Sequence, residues 1–416
     1  LYNNGSFVDQ GTSTYSLSAL CCSRSSGGAL IQREDGTYEL LAPHDDVIND
    51  YTHETNVIDP QPWQHTNTLP LSQGNVSIGF QARAAAGTQI KATAVTLIQI
   101  ASGNLVAVAR VMPPPEGSPY LVGYELDSSG NWQGPVILLA DDGPIDNVTG
   151  PVSLIETDYQ EQHRLELLVP RGVVIDHYIL EQGTILQGIW SHVHTLTAPQ
   201  NTPQAQITSV SFIQSSTGNL EAIARVTSPP SFLGNSSDYL VGYELTSSGE
   251  WDGPFPLLTD GNLINNVTGA PALMESDNDV QNRFELMVPR GAVVDHYRHD
   301  IETIKGSWRY VDTLRLPAND NRQFTAVWLI QDTTGHLEAG ARVKPANADG
   351  NLLGYEFDPA TGWKEPVPLI ANDGPIVANE PPPKQSAPGC EPRTALTLLA
   401  LALLVRVILR IFSRKR

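Results

Sequence analysis

Leu97-Ile98-Gln99, Gly103-Asn104-Leu105 and Ala109-Arg110-Val111 form a pattern that the chain writes three times. It returns as Phe212-Ile213-Gln214, Gly218-Asn219-Leu220 and Ala224-Arg225-Val226. It returns again as Leu329-Ile330-Gln331, Gly335-His336-Leu337 and Ala341-Arg342-Val343, and the offsets are 115 and 117 residues. Each copy runs on into Gly-Tyr-Glu (Gly123-Tyr124-Glu125, Gly242-Tyr243-Glu244, Gly354-Tyr355-Glu356), then a turn and a tryptophan: Trp132, Trp251 or Trp363. This is unit A.

A second unit, B, lies between the copies. Glu166-Leu167-Leu168-Val169-Pro170-Arg171-Gly172 leads to Asp176-His177-Tyr178 and Trp190, and Glu285-Leu286-Met287-Val288-Pro289-Arg290-Gly291 leads to Asp295-His296-Tyr297 and Trp308. A worn copy starts at Glu39-Leu40-Leu41-Ala42-Pro43 and continues to Asn49-Asp50-Tyr51 and Trp63. Each unit spans about 57 residues and holds four short apolar or alternating runs, separated by Ser-Ser-Gly, Pro-rich and Gly-containing turns. Such runs read as antiparallel hairpins, and a repeated four-stranded sheet of this length marks a propeller blade.

The order B-A-B-A-B-A predicts an all-β, six-bladed β-propeller over residues 27–375. The last A unit ends in Asp373-Gly374-Pro375-Ile376, which matches Asp142-Gly143-Pro144-Ile145, the lead from A into the next B. No further B follows, so the first B, from near Gly28, is expected to close the ring and leave no sheet edge open. A seventh blade, built partly from the N-terminal segment 1–26, is the alternative.

The 34 Gly, 31 Pro and 17% charged residues suit such a turn-rich β protein. Residues 1–392 carry 19 basic against 45 acidic side chains, and all six residues of charge from Arg393 onward are basic. A surface this negative repels phosphate backbones, which argues against nucleic-acid partners. The three cysteines, Cys21, Cys22 and Cys390, make neither a disulfide scaffold nor a zinc pattern.

Five Asn-x-Ser/Thr sequons, at Asn4, Asn75, Asn147, Asn235 and Asn266, point to a glycosylated chain of the secretory pathway. The Pro-rich stretch 376–393 reads as a stalk. Residues 394–412 are apolar apart from two arginines and two threonines, long enough to span a bilayer as one transmembrane helix. The basic tip 413–416 belongs in the cytosol by the positive-inside rule. The expectation is a single-pass membrane protein with its propeller outside the cell, or a secreted one if the tail is removed.

Three sets of residues repeat with the chemistry of sugar recognition: Arg110, Glu125 and Trp132; Arg225, Glu244 and Trp251; Arg342, Glu356 and Trp363. Guanidinium and carboxylate take bidentate bonds from vicinal hydroxyls, while an indole covers the C–H face of a ring. A cross-strand Arg–Glu pair with Trp as filler is the structural alternative. Neighbouring Asp176 and His177 point to opposite faces of a strand, as do Asp295 and His296, so they make no acid–base pair.

Six blades of this size, each with Arg, then Glu, then Trp, resemble the fungal fucose-specific lectin propellers. The B unit, with its Leu-Glu-Leu-Leu-Val run before His-Tyr and a later Trp, is similar to lectin-like propellers of the Photorhabdus lectin type. The resemblance implies sugar sites between blades, and glycans as partners, fucosylated ones among them. Ser128-Ser129-Gly130-Asn131-Trp132 resembles the aspartate-box turn of sialidases but lacks its aspartate. No Gly-x-Ser-x-Gly, phosphate loop or zinc spacing is present. With polar residues repeating threefold rather than forming one asymmetric constellation, no catalytic residue, metal or cofactor is expected. The chain is read as a non-enzymatic, lectin-like propeller. A protein-interaction propeller and a divergent glycosidase are the alternatives.

Overall fold

The computed structural model describes residues 27–378, apart from 55–57, 59–60, 72–89, 114–116, 159–162, 182–183, 200–204, 229–237, 247, 277–282, 301–302, 319 and 348–349. Six antiparallel sheets follow one another along the chain, each with its strands in sequence order. Blade 1 consists of Ala29–Gln32, Tyr38–His44, Val47–His53 and Gln64–Pro70. Blade 2 consists of Lys91–Gln99, Leu105–Met112, Tyr120–Leu126 and Trp132–Ile137. Blade 3 holds Ser153–Thr157, Arg164–Arg171, Val174–Leu180 and Ile189–Thr197.

Blade 4 holds Gln206–Gln214, Leu220–Thr227, Tyr239–Leu245 and Trp251–Pro256. In blade 5 the strands are Ala272–Ser276, Arg283–Arg290, Val293–His299 and Arg309–Arg315. Blade 6 begins with Gln323–Gln331, Leu337–Asn347 and Gly350–Asp358 and is completed by two short pieces at its edge. The B units are thus blades 1, 3 and 5, and the A units blades 2, 4 and 6.

The apolar core lies between blades rather than within them. One buried cluster joins Leu41 and Ile48 of blade 1 to Leu97 and Tyr124 of blade 2. Another joins Val108 of blade 2 to Leu167 and Trp190 of blade 3, and a third joins Trp328 of blade 6 to Tyr38 and Trp63 of blade 1. Alternation along each strand sends one set of side chains to the preceding blade and the other to the following one.

Gly-Tyr-Glu shows this alternation in three consecutive residues. The tyrosine faces the preceding blade and donates its hydroxyl to the outer strand there: Tyr124 to Pro70 O at 2.9 Å, Tyr243 to Thr197 O at 2.9 Å, Tyr355 to Arg315 O at 3.3 Å. The glycine faces the following blade, whose isoleucine plugs against it. A Cβ on Gly354 would lie 2.2 Å from Ile58, and one on Gly242 3.1 Å from Ile304.

The repeated Leu-Ile-Gln is a staple. A Gln or Glu within the last two residues of the first strand accepts a backbone N–H from the hairpin of the preceding blade: Gln99 from Glu34 at 3.0 Å, Glu156 from Ala101 at 2.6 Å, Gln214 from Asp158 at 3.1 Å, Glu275 from Ser216 at 2.5 Å. Gln32 of blade 1 accepts from Thr333 of blade 6 at 2.6 Å, so the same staple closes the ring.

Each A blade ends in a two-residue hairpin that docks beside the outer strand of the next B blade. Leu139 and Ala140 pair in parallel with Ile189 and Trp190, and Trp308 N donates to Leu258 O at 2.7 Å. At the closing joint Trp63 N donates to Ile370 O, and Asn372 N to Trp63 O, both at 2.8 Å. The matched Asp-Gly-Pro-Ile segments therefore do equivalent work, and blade 6 meets blade 1 directly. That contact excludes the seven-bladed alternative.

The segments 1–26, 379–393, 394–412 and 413–416 lie outside the described residues, as do Asn4, Asn75 and Asn235. Among the described residues no helix is long and apolar enough to cross a membrane. The Asn-Val-Thr sequons at Asn147 and Asn266 also serve the fold. Both asparagines are exposed and sit at φ 56° and 57°, a left-handed conformation that Asn tolerates. Thr149 Oγ1 accepts from Gly172 N and donates to Pro170 O, and Thr268 Oγ1 accepts from Gly291 N and donates to Phe324 O.

Trp63 is fully buried at the closing joint. Trp63→Ala should lower the unfolding free energy by about 3–5 kcal/mol, read from urea denaturation followed by fluorescence.

Candidate functional site

The sequence-predicted Arg, Glu and Trp do not meet. Arg110 pairs across the sheet with Leu121, and Glu125 with Val106, so the two lie four residues apart along one face of blade 2. At the rise of a strand that is about 13 Å. The same register separates Arg225 from Glu244 and Arg342 from Glu356. Trp132, Trp251 and Trp363 pair with Leu126, Leu245 and Phe357, one residue beyond each Glu, and so turn to the opposite face. The three members of each trio thus sit at three separate places on the blade.

The arginines hold the far end of each A blade. Arg110 donates from Nε to Val148 O at 2.8 Å and from a terminal nitrogen to Thr93 Oγ1 at 2.7 Å. Burial brings its guanidinium down to about 10. Arg225 pairs with Asp238, and Arg342 Nε donates to Thr325 Oγ1 at 2.9 Å.

The tryptophans lock each A blade to the B blade before it. Trp251 Nε1 donates to His177 Nδ1, and Trp363 Nε1 to His296 Nδ1, both at 3.3 Å. His177 and His296 each meet a buried carboxylate, Glu166 and Glu285, at 2.7 Å through Nε2. In blade 1 an aspartate replaces the histidine, and Trp132 Nε1 donates to Asp50 Oδ2 at 2.9 Å. Burial and the adjacent Asp50 push Glu39 up to about 9, so Glu39 keeps a proton at neutral pH in place of the imidazole N–H.

The glutamates of Gly-Tyr-Glu face the A-to-B interfaces, where the threefold pattern breaks. Opposite Glu244 stands Glu221, and opposite Glu356 stands Glu338, but opposite Glu125 stands Val106. Burial and Glu244 push Glu221 up to about 9, and burial pushes Glu338 up to about 7. Between blades 4 and 5, Lys305 bridges Glu244 at 2.7 Å and Asp252 at 2.8 Å, closing the interface. Between blades 2 and 3 the equivalent positions are Val106, Gln133 and Leu186, so neither the extra carboxylate nor the ammonium is there.

A cavity of about 300 Å³ opens at that place. Its polar lining includes three carboxyl residues, Glu125, Glu156 and Glu181, beside Asn104, and Ile100, Val106, Leu165, Leu180 and Ile185 make its apolar wall. Glu125 is buried; its Oε1 accepts from Asn104 Nδ2 at 3.1 Å, while its Oε2 has no hydrogen-bond partner. Burial holds Glu156 above the usual carboxylate range, against the N–H of Ala101. Arg164 donates from Nε to Glu166 Oε1 at 2.9 Å. Among the described residues no group of three or more His, Cys, Asp or Glu could hold a metal ion.

No protein-family model matches the chain, and no curated protein matches it. Solved structures do. An α-L-arabinanase from Penicillium chrysogenum, complexed with arabinobiose, is similar at 10% identity and TM-score 0.55, covering 82% of this chain and 94% of its own. An α-L-arabinofuranosidase from Fusarium graminearum, in complex with an iminosugar inhibitor, is similar at 10% identity and TM-score 0.56, with the same coverage. The Aleuria aurantia lectin, in complex with Fucα1-6GlcNAc, is similar at 11% identity and TM-score 0.51, covering 86% of this chain and 99% of its own.

What these likenesses share is the propeller fold. They bear out the lectin resemblance at the level of architecture. They also overturn the expectation of a non-enzyme, because glycosidases use this fold as well. That expectation rested on threefold repetition of polar residues, and Val106 breaks the repetition at one interface.

Of the nine residues picked from sequence, only Glu125 lines the cavity. Asn104, Glu156 and Arg164 were not singled out. Their signal was the contrast of Gly103-Asn104-Leu105-Val106 with Gly218-Asn219-Leu220-Glu221 and Gly335-His336-Leu337-Glu338.

A buried carboxyl whose folded pKa is raised stabilises the fold below its unfolded value, and the gain is lost as pH climbs through the folded one. Between pH 5 and 9 the ring should therefore lose stability, on the order of a few kcal/mol. Glu221→Gln should flatten that slope and raise the melting temperature at pH 8, measured by calorimetry across pH.

Proposed function

We propose that the protein acts on carbohydrate, taking one sugar unit into the cleft between blades 2 and 3 and cleaving its glycosidic bond. The observation that carries this is a concave site lined by three carboxyl residues, Glu125, Glu156 and Glu181, at a place where the other A-to-B interfaces carry Glu221 or Glu338 in the position of Val106. A cavity of about 300 Å³ stands at the small end of ligand sites, matched to a monosaccharide. Its apolar wall suits the C–H face of a ring, and Asn104 suits hydroxyls.

Glycoside hydrolysis needs one carboxyl that keeps its proton and a second that is ionised. Glu156, raised by burial, is the proton donor to the departing oxygen. Glu125, steadied through Oε1 by Asn104, takes through Oε2 a proton from a solvent water, whose oxygen bonds to the anomeric carbon as the glycosidic C–O bond breaks and Glu156 protonates the departing oxygen. Arabinose and fucose chains are the first substrates to try, since two of the similar solved structures hold arabinobiose and Fucα1-6GlcNAc. The setting is outside the cell, with residues 394–412 as a membrane anchor, where glycans are the partners on offer.

The test is a panel of nitrophenyl α-L-arabinofuranosides and α-L-fucosides, with a glycan array alongside. Glu156→Gln and Glu125→Gln should each lower kcat/KM by roughly 100-fold or more with melting temperature kept. Val106→Glu should fill the cleft and abolish binding. Glycan binding without release of any sugar would refute the hydrolytic half, and absence of both would refute the whole.

A further inference from the structure

The two closed A-to-B interfaces show what the open one lacks. Between blades 4 and 5, Glu244 Oε1 accepts from Asn219 Nδ2 at 3.1 Å, and its Oε2 lies 2.7 Å from the Lys305 ammonium. In blade 6 the Lys364 ammonium meets Glu356 Oε1 at 2.5 Å. Glu125 keeps the first half of this arrangement, accepting from Asn104 Nδ2 at 3.1 Å through Oε1. It lacks the second half. Leu186 stands in the place of Lys305 and Gln133 in that of Lys364, and Glu125 Oε2 has no hydrogen-bond partner. Glu125 is only 8% exposed, and a carboxylate taken out of water calls for a cation beside it.

A second group on the same wall has lost its complement. Where blade 6 meets blade 1, Glu338 Oε1 accepts the N–H of Ile58 at 3.0 Å. Ile185 holds the place of Ile58 and lines the cleft, but Val106 stands in the place of Glu338 and has no oxygen to offer. Between blades 4 and 5 the two missing places hold Glu221 and Lys305. A ligand that fills the cleft as those side chains fill their interface brings an oxygen acceptor and an ammonium. Glu156 and Glu181 add further acidic lining.

We propose that the cleft between blades 2 and 3 takes an amino sugar, whose primary ammonium pairs with Glu125 as Lys305 pairs with Glu244, and whose neighbouring hydroxyl oxygen accepts the N–H of Ile185. This rests on reading that cleft as the sugar site. A 2-amino-2-deoxy hexose carries the two groups on adjacent carbons, an ammonium to donate and a hydroxyl to accept. Its nitrogen also stands next to the anomeric carbon. Each carboxylate oxygen has two lone pairs, so Glu125 reaches both the ammonium and the attacking water. A neutral sugar such as arabinose or fucose leaves the charge of Glu125 unanswered.

Calorimetric titration with the methyl glycosides of D-glucosamine, D-galactosamine and D-mannosamine, each against its N-acetyl and 2-hydroxy counterparts, tests the charge. The best of the three amines should bind about tenfold more tightly than either counterpart. Gln133 is exposed and lies directly across the sheet from Glu125. Gln133→Lys should supply the ammonium from within, as Lys364 does for Glu356, and erase the preference, while Gln133→Met keeps it. Ethylammonium chloride offers the charge without a sugar. Against sodium chloride of equal strength it should raise the melting temperature of wild type by about 2 °C and leave Gln133→Lys unmoved.

Amines that bind no better than their counterparts, or a preference that survives Gln133→Lys, would overturn the proposal and leave the cleft to a neutral sugar. A wild type that binds no sugar would refute the amino-sugar ligand together with the proposed function. Ethylammonium then decides whether Glu125 takes a cation, and equal melting temperatures in the two salts would overturn that too. Should Gln133→Lys not fold, Glu125→Gln removes the charge itself and should erase the same preference.

Discussion

Burial between neighbouring sheets holds this molecule together, because a blade of four short strands has two apolar faces and nothing of its own to cover them. Each blade must find a partner on both sides, and a ring is the arrangement in which every blade does. The residues that repeat along the chain are those that this contact requires. Gly makes room for the next blade's isoleucine, Tyr reaches back to the previous outer strand, and Gln or Glu at the end of the first strand catches an N–H across the gap. Since the contacts are local to neighbours, stability should be spread around the ring, with the closing joint the place where a break costs most cooperativity.

The same economy of design explains how one interface becomes a site. Three A-to-B interfaces share a template, and two of them fill it with Glu221 or Glu338, whose carboxyls burial pushes up to about 9 and about 7. Replacing that glutamate by the shorter Val106, and the bridging Lys305 by Leu186, removes both the plug and the charge that balanced it. What remains is a pocket with a buried carboxylate oxygen that the described protein leaves without a hydrogen bond. A repeat protein thus acquires an asymmetric centre by subtraction, without a new loop.

Architecture was legible in sequence because hairpin turns and apolar runs recur at a fixed spacing, and the Asp-Gly-Pro-Ile pair even marked the closing joint. The site was less legible. Arg110, Glu125 and Trp132 recur together in sequence, but strand alternation puts Trp132 on one face, and the four-residue step between Leu121 and Glu125 parts the other two. Recurrence signalled framework, and only the departure at Val106 signalled a cavity. Asp176 and His177 part to opposite faces as strand alternation requires, Asp176 toward Thr195 and His177 toward Glu166 and Trp251. The Asn-Val-Thr repeats were read as sequons, yet each also ties an interblade link, so their number says less about compartment than it first suggests.

The closing joint has a mechanical meaning. Gly27 lies against Arg342, Asn351 clamps Ala378 through bonds of 2.7 and 2.8 Å, and Trp63 is held between Ile370 and Asn372. Both ends of the described chain therefore leave the ring at the same seam. Any tension arriving from residues beyond Ala378 is borne first by the Asn351 clamp and then by the short parallel pairing at Trp63. The seam between blades 6 and 1 is the ring's latch under load, and the cleft between blades 2 and 3 lies well away from it.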